Sequence, residues 1–173
     1  MRRNATAPPS ARTVAGMSTA RTPIPEGLTP DAGWELDVER VLSLPLDDAW
    51  QRLISEWLPV WLGSGSVPQM VGAPLHDLRG RLRGRVVGCH VGRRVRVRWT
   101  PADLDHEVIF QVSLTPAAGG TTVQIHQERL LGPAERQGRV ERWTQELEQL
   151  VRSIAKETGA IPVVEGTEER EER

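Results

Sequence analysis

The sequence has one cysteine, no tyrosine, one phenylalanine, and a single lysine, Lys156, among its 22 basic residues. One thiol, Cys89, excludes an intrachain disulfide and a cysteine-based zinc cluster, and it fits a reducing cytoplasm. The shortage of lysine, in a chain rich in Ala, Gly, Pro and Arg, reads as the coding bias of a GC-rich genome, so arginine abundance alone carries no functional weight. A formal net charge of −1 argues against bulk attraction to nucleic acid. No run approaches the ~18–20 consecutive apolar residues of a spanning helix, so no membrane insertion is expected. After Arg2 and Arg3, residues 4–22 are polar and proline-containing and lack the apolar stretch of a secretory signal. A phosphate-cradling Gly-x-x-x-x-Gly-Lys and a dinucleotide fingerprint are also missing, and no cofactor is expected.

What is present divides the chain in three. Residues 1–33 mix Ala, Pro, Ser, Thr and Arg without periodicity, a composition that cannot offset its ordering entropy and predicts a disordered leader. Residues 159–173 end in a run of Glu and Arg and predict a charged, flexible tail. One domain over residues 34–158 remains, which suits a chain of this length.

Within that domain, residues 34–44 predict a first strand, with Leu36, Val38 and Leu42 on one parity. Pro45 then makes a turn, and Leu46, Ala49, Trp50, Leu53, Ile54 and Trp57 recur at helical spacing behind the first-turn acids Asp47 and Asp48. Pro59 limits this helix and leaves room for a second short one over Val60 to Leu62. From Leu78 to Arg129 the period is two. Val95, Val97 and Trp99 alternate with Arg94, Arg96 and Arg98, while Val108, Phe110, Val112 and Leu114 share a parity, as do Val123 and Ile125. Short turns at Gly92 and at Gly119-Gly120 imply an antiparallel meander. After Gly132-Pro133, the residues Val140, Trp143, Leu147, Leu150 and Ile154 mark one apolar stripe on a helix of about 20 residues, stopped by Gly159. The opposite face, including Glu141, Arg142, Glu146 and Glu148, is expected to meet water. Gly138 is a weak point in its first turns. The fold class is therefore α+β: a curved antiparallel sheet wrapped around a long C-terminal helix, with two short helices after the first strand.

Several stretches together resemble the START-like helix-grip (SRPBCC) superfamily. They are Pro45 to Trp50, Trp57 with Trp61-Leu62, Gly84-Arg85-Val86, Arg94 to Trp99, Val112 to Pro116 before Gly119 to Val123, and Trp143 to Leu150. Within the superfamily the chain is most similar to bacterial homologues of the heat-shock protein 90 ATPase activator C-terminal domain. The resemblance implies a cavity between sheet and long helix lined by Trp57, Trp61, Val95, Val97, Trp99, Phe110, Val112, Val123, Ile125, Trp143 and Leu147. It also implies a non-catalytic domain that takes a small hydrophobic ligand or a protein partner. A polyketide cyclase or aromatase-like enzyme and a co-chaperone-like ATPase activator are the alternatives that the same fold hosts. Residues 67–77, rich in Pro and Gly, depart from the regular strand that relatives carry there.

The remaining polar groups favour ordinary structural roles. The eight arginines from Arg79 to Arg98 alternate with apolar residues and have Glu107 and Glu128 on neighbouring strands, which suits a solvated face with cross-strand pairs. His76-Asp77 and Asp105-His106-Glu107 lack metal-ligand spacing, so no metal or catalytic residue is assigned. His90 and His126 are read as satisfied structural histidines, with an approach of the two across the sheet as the alternative.

Overall fold

A computed structural model describes residues 24–160; the expectations for residues 1–23 and 161–173 lie outside the described residues. Seven strands form one antiparallel sheet. In chain order they are β1 (Leu28–Thr29), β2 (Gly33–Leu42), β3 (Pro74–His76), β4 (Leu82–His90), β5 (Arg94–Trp99), β6 (Val108–Ala117) and β7 (Gly120–Leu130). Across the sheet the order is β1-β2-β7-β6-β5-β4-β3. The meander from β3 to β7 thus closes back on β2, as the α+β sheet-and-helix reading requires.

Two boundaries differ from expectation. β1 falls inside the stretch read as leader, because Leu28 pairs with Trp34 and Thr29 with Gly33 in a short hairpin. β3 falls inside residues 67–77, where Pro and Gly obscure the period. It is an edge strand, a position that tolerates Pro74, and it is held by a fully buried Leu75.

The register brings the expected apolar parities together. Val97 faces Phe110, Val112 faces Ile125, and Ile125 faces Val38, and all are buried in one core cluster. On the other face the arginines meet acids across strands: Arg96 lies 2.8 Å from Glu128 and Arg98 lies 2.9 Å from Glu107. His126 is bound not by His90 but by Asp37 at 2.9 Å and Glu128 at 3.0 Å. His90 sits on β4, separated from β7 by β6 and β5 in the sheet order, so the two rings never meet.

Helix α1 (Leu46–Arg52) runs through a π-helical turn, Leu53–Trp57, into α2 (Leu58–Leu62). Pro59 has no N–H and its ring crowds the preceding turn. The helix widens just ahead of it, with the Leu58 N–H bonding back to the Leu53 carbonyl. The residue expected to end the helix therefore lies inside a continuing one. Trp50 Nε1 donates to Gln69 Oε1 at 3.0 Å, pinning the loop before β3 to α1.

The last helix, α3 (Pro133–Thr158), is 26 residues long. Pro133 opens it without wasting a donor, and Glu135 accepts from the Leu131 N–H ahead of it. Trp143, Leu147, Ile154 and Ala155 are buried against the sheet, chiefly over β2, while Val140, Leu150 and Val151 are half-buried at the margins. Gly159 ends the helix in a left-handed conformation, as expected.

Gly138 stays helical and exposed, and a methyl group there would touch nothing within 4 Å. Gly138→Ala is therefore expected to stabilise the protein by about 0.5–1 kcal/mol. A higher urea midpoint with unchanged slope checks this, and an unchanged or lower midpoint refutes it.

Candidate functional site

The predicted cavity residues divide into two groups. Trp57, Val95, Val97, Phe110, Val112, Val123, Ile125 and Leu147 are packed into the core, with no one of them lining the cleft described next. Trp61, Trp99 and Trp143 do line a cleft of about 260 Å³ where the sheet meets the first half of α3. Its walls come from the end of α2 (Val60 to Gly63), the β5–β6 connection (Pro101 to Asp103), Gln127 of β7, and Arg139, Arg142 and Trp143 of α3. Residues 67–77 take no part in it.

Trp143 organises the apolar side. Its ring lies 4.9 Å from Phe110 between centroids and meets Trp61 edge-on at 5.9 Å and 73°. Trp57 follows Trp61 at 6.4 Å. Such offset and edge arrangements add to simple burial. Gly63, with φ +66, ends α2 in the left-handed region at the cleft wall.

The polar side includes two residues, Gln127 and Arg139, at positions that the periodicities reserve for hydrocarbon. Gln127 continues the inward parity of Val123 and Ile125 and is 1% exposed; its Oε1 accepts from Trp143 Nε1 at 3.0 Å. What it has left to offer is its NH2 group. Arg139 lies one helical turn before Trp143 on the buried stripe and is 5% exposed, with Nη2 donating to Asp103 at 2.7 Å. Arg142, expected to face water, is half-buried: its guanidinium stacks 4.8 Å over the Trp143 ring and reaches the Trp61 carbonyl at 3.4 Å.

Trp99 completes the set. It is 3% exposed, and its Nε1 has no hydrogen-bond partner among the described residues. A buried donor left unpaired costs about 1–3 kcal/mol. Inward parity marked Trp99 in the sequence; that its N–H would lack an acceptor depends on tertiary packing.

The cleft wall is fastened to α3 by two ion pairs. Burial alone would push the Asp103 carboxyl up, but the Arg139 hydrogen bond and charge, with Arg142 beyond, hold it below its ordinary value. Four residues on from Pro101's neighbour, at the far end of the same loop, His106 sits between two acceptors. Its Nε2 is 2.7 Å from Glu135 Oε1 and its Nδ1 is 3.2 Å from the Glu107 carbonyl. Only the imidazolium can donate to both. Burial opposes that charge, yet the Glu135 hydrogen bond, the Glu107 carbonyl and the nearby acids raise the pKa above the usual histidine value.

A second hollow, of about 330 Å³, lies against Leu82, Gly84, Arg83, Arg85, Arg98 and Glu107. Its guanidiniums are engaged already: Arg98 with Glu107, Arg83 with the Pro101 carbonyl and Arg85 with the Gly72 carbonyl. Among the described residues no group of three or more His, Cys, Asp or Glu is placed to hold a metal ion, and no helix is long and apolar enough to cross a membrane.

No protein-family profile matches the chain, and no curated protein matches it either. Solved structures do. The chain is similar to a protein from Chromobacterium violaceum, at 21% identity and TM-score 0.52 over 69% of this chain and 96% of the other. A Mesorhizobium loti protein matches at 22% identity and TM-score 0.54, over 68% and 94%. DynU16, a protein of the dynemicin biosynthetic locus, matches at 21% identity and TM-score 0.58, over 72% of this chain and 48% of DynU16. At these identities the likeness is one of fold. The neighbours are small bacterial proteins of the same sheet-plus-C-terminal-helix class.

The raised His106 pKa fixes a sign. In the unfolded chain the ring titrates near ~6.5. The pair's contribution to stability is complete below that pH and is lost as pH rises through the higher folded value. Compared with His106→Gln, the wild type should gain its largest advantage in urea midpoint near pH ~5.5 and the least near pH ~8.5. Equal differences at both pH values, or an NMR titration of His106 below ~6.5, would contradict the assignment.

Proposed function

We propose that this chain is a START-like (SRPBCC) helix-grip domain that binds a small ligand with an apolar body, without transforming it, in the cleft beside Trp61, Trp99 and Trp143. The reading is carried by one observation: the gap between sheet and long helix is filled along most of its length but remains open, over about 260 Å³, where those indoles gather. Concave, mostly apolar pockets with a few fixed polar groups are the common form of small-molecule sites. This volume lies just below the roughly 300–1,000 Å³ usual for such sites.

A cyclase or aromatase-like activity is the second reading, and the fold shared with DynU16 of the dynemicin biosynthetic locus speaks for it. The chemistry of the cleft speaks against it. Its lining offers no histidine, cysteine or serine, and its one carboxylate, Asp103, is committed to Arg139. General acid–base work needs a group poised to exchange a proton near neutral pH. The resemblance to activators of heat-shock protein 90 ATPase rests on fold and short motifs alone, and a co-chaperone role has no separate support.

Titration of the full chain with neutral one- and two-ring compounds, followed by tryptophan fluorescence, tests the binding reading. Saturable quenching is expected for the wild type. Ala102→Trp, which crowds the cleft from an exposed position outside the core, should abolish it. Quenching that never saturates, or that survives Ala102→Trp unchanged, overturns the proposal.

A further inference from the structure

The cleft is rich in donors and poor in acceptors. Trp99 brings an indole N–H with no partner among the described residues, Gln127 brings the free end of its amide, and Arg139 and Arg142 bring two guanidiniums. Against these stands one carboxylate, Asp103, already bound to Arg139 at 2.7 Å. The local balance is therefore one uncompensated positive charge. Arg142 is the guanidinium without a carboxylate partner among the described residues; its contacts are the Trp143 ring and the Trp61 carbonyl. The rest of the wall is apolar and includes Trp61, Trp143, Pro101 and Val60.

These features narrow the ligand. A purely hydrocarbon molecule would leave Trp99 Nε1, already buried, still without an acceptor and would offer none to the Gln127 amide, so the cost of those unpaired polar groups would persist. A cation would meet Arg139 and Arg142. An anionic oxygen group fits both the charge and the donors, and charge-assisted hydrogen bonds of this kind are the strong ones. The volume sets the size, because about 260 Å³ is roughly nine water volumes at ~30 Å³ each. That space accommodates one ring with its substituent and is too small to enclose a sterol or a long acyl chain.

We infer that the cleft takes a small monocyclic carboxylic acid, its ring against Trp61, Trp143 and Pro101 and its carboxylate toward Trp99 Nε1, the Gln127 amide and Arg142. The inference rests on the cleft being a ligand site at all, and it adds the chemical class of the ligand. A neutral ring would use the walls alone; the acid uses walls and donors together.

The test uses the full chain, benzoate as probe and benzamide as its neutral counterpart of the same shape. Binding is read from the indole N–H resonances of the six tryptophans, that of Trp99 being assigned by its disappearance in Trp99→Phe. Benzoate is expected to move the Trp99 indole N–H resonance saturably and to bind at least tenfold more tightly than benzamide. Trp99→Phe, which keeps the ring but removes the donor, should weaken benzoate about tenfold and leave benzamide nearly unchanged. Arg142→Gln, at a half-buried position, should do the same and serves if Trp99→Phe misfolds. Equal affinity for the two probes overturns the carboxylate inference while leaving the ligand-binding reading in place. No saturable shift from either probe or from any neutral ring overturns both.

Discussion

The structure depends on one packing event, the docking of the α3 stripe onto the inner face of the sheet. Neither surface is viable alone: β2, β6 and β7 present Leu36, Val38, Phe110, Val112, Val123 and Ile125 on one side, and α3 presents Trp143, Leu147 and Ile154. All are buried, and at about 1.5–3 kcal/mol per large apolar side chain this contact outweighs the surface ion pairs many times over. Exposed pairs such as Arg40 with Glu148 are worth at most about 1 kcal/mol each. They orient the helix on β2; they do not hold it there.

The cleft follows from where that stripe changes character. Trp143 is its last fully buried apolar anchor toward the helix start, and one turn earlier the chain buries Arg139 instead of another hydrocarbon. Burying a guanidinium is expensive unless it is paired. Asp103 supplies that partner and draws the β5–β6 connection over the helix. The same substitution occurs in the sheet, where Gln127 stands at an inward position and Trp143 binds it. A polar residue on each of two facing surfaces cannot interdigitate as hydrocarbon does, and the space between them remains open.

Most of the architecture was legible because it is periodic. The Val95-Val97-Trp99 alternation, the Gly119-Gly120 turn and the stripe through Trp143 and Leu147 led to the sheet and helix that exist. What escaped was local and aperiodic. β3 is three residues long and sits among prolines and glycines, and β1 is two residues set before the predicted start. In the cleft, Trp61, Trp99 and Trp143 were visible as inward aromatics, but Gln127 and Arg139 were passed over because polar residues were assumed to face water. Their signal was the period itself: each occupies a position that the pattern reserves for the core. Arg142 gave no such signal, since its burial comes from Trp143 and Trp61 rather than from its own position.

The ligand reading inherits this geometry, because Trp143 both seals the core and lines the cleft. Were the helix to sit one turn out of register, Arg139 would meet the sheet where Trp143 now lies, and no cleft of this composition would form. The most direct measurement is therefore a solution NMR experiment on the full chain that reads proton–proton contacts from the Trp143 ring. With ring centroids 4.9 Å apart, strong cross-peaks between Trp143 and Phe110 are predicted, along with contacts to Trp61. Cross-peaks from Trp143 confined to residues of its own helix would contradict the docking on which the fold and the cleft both rest.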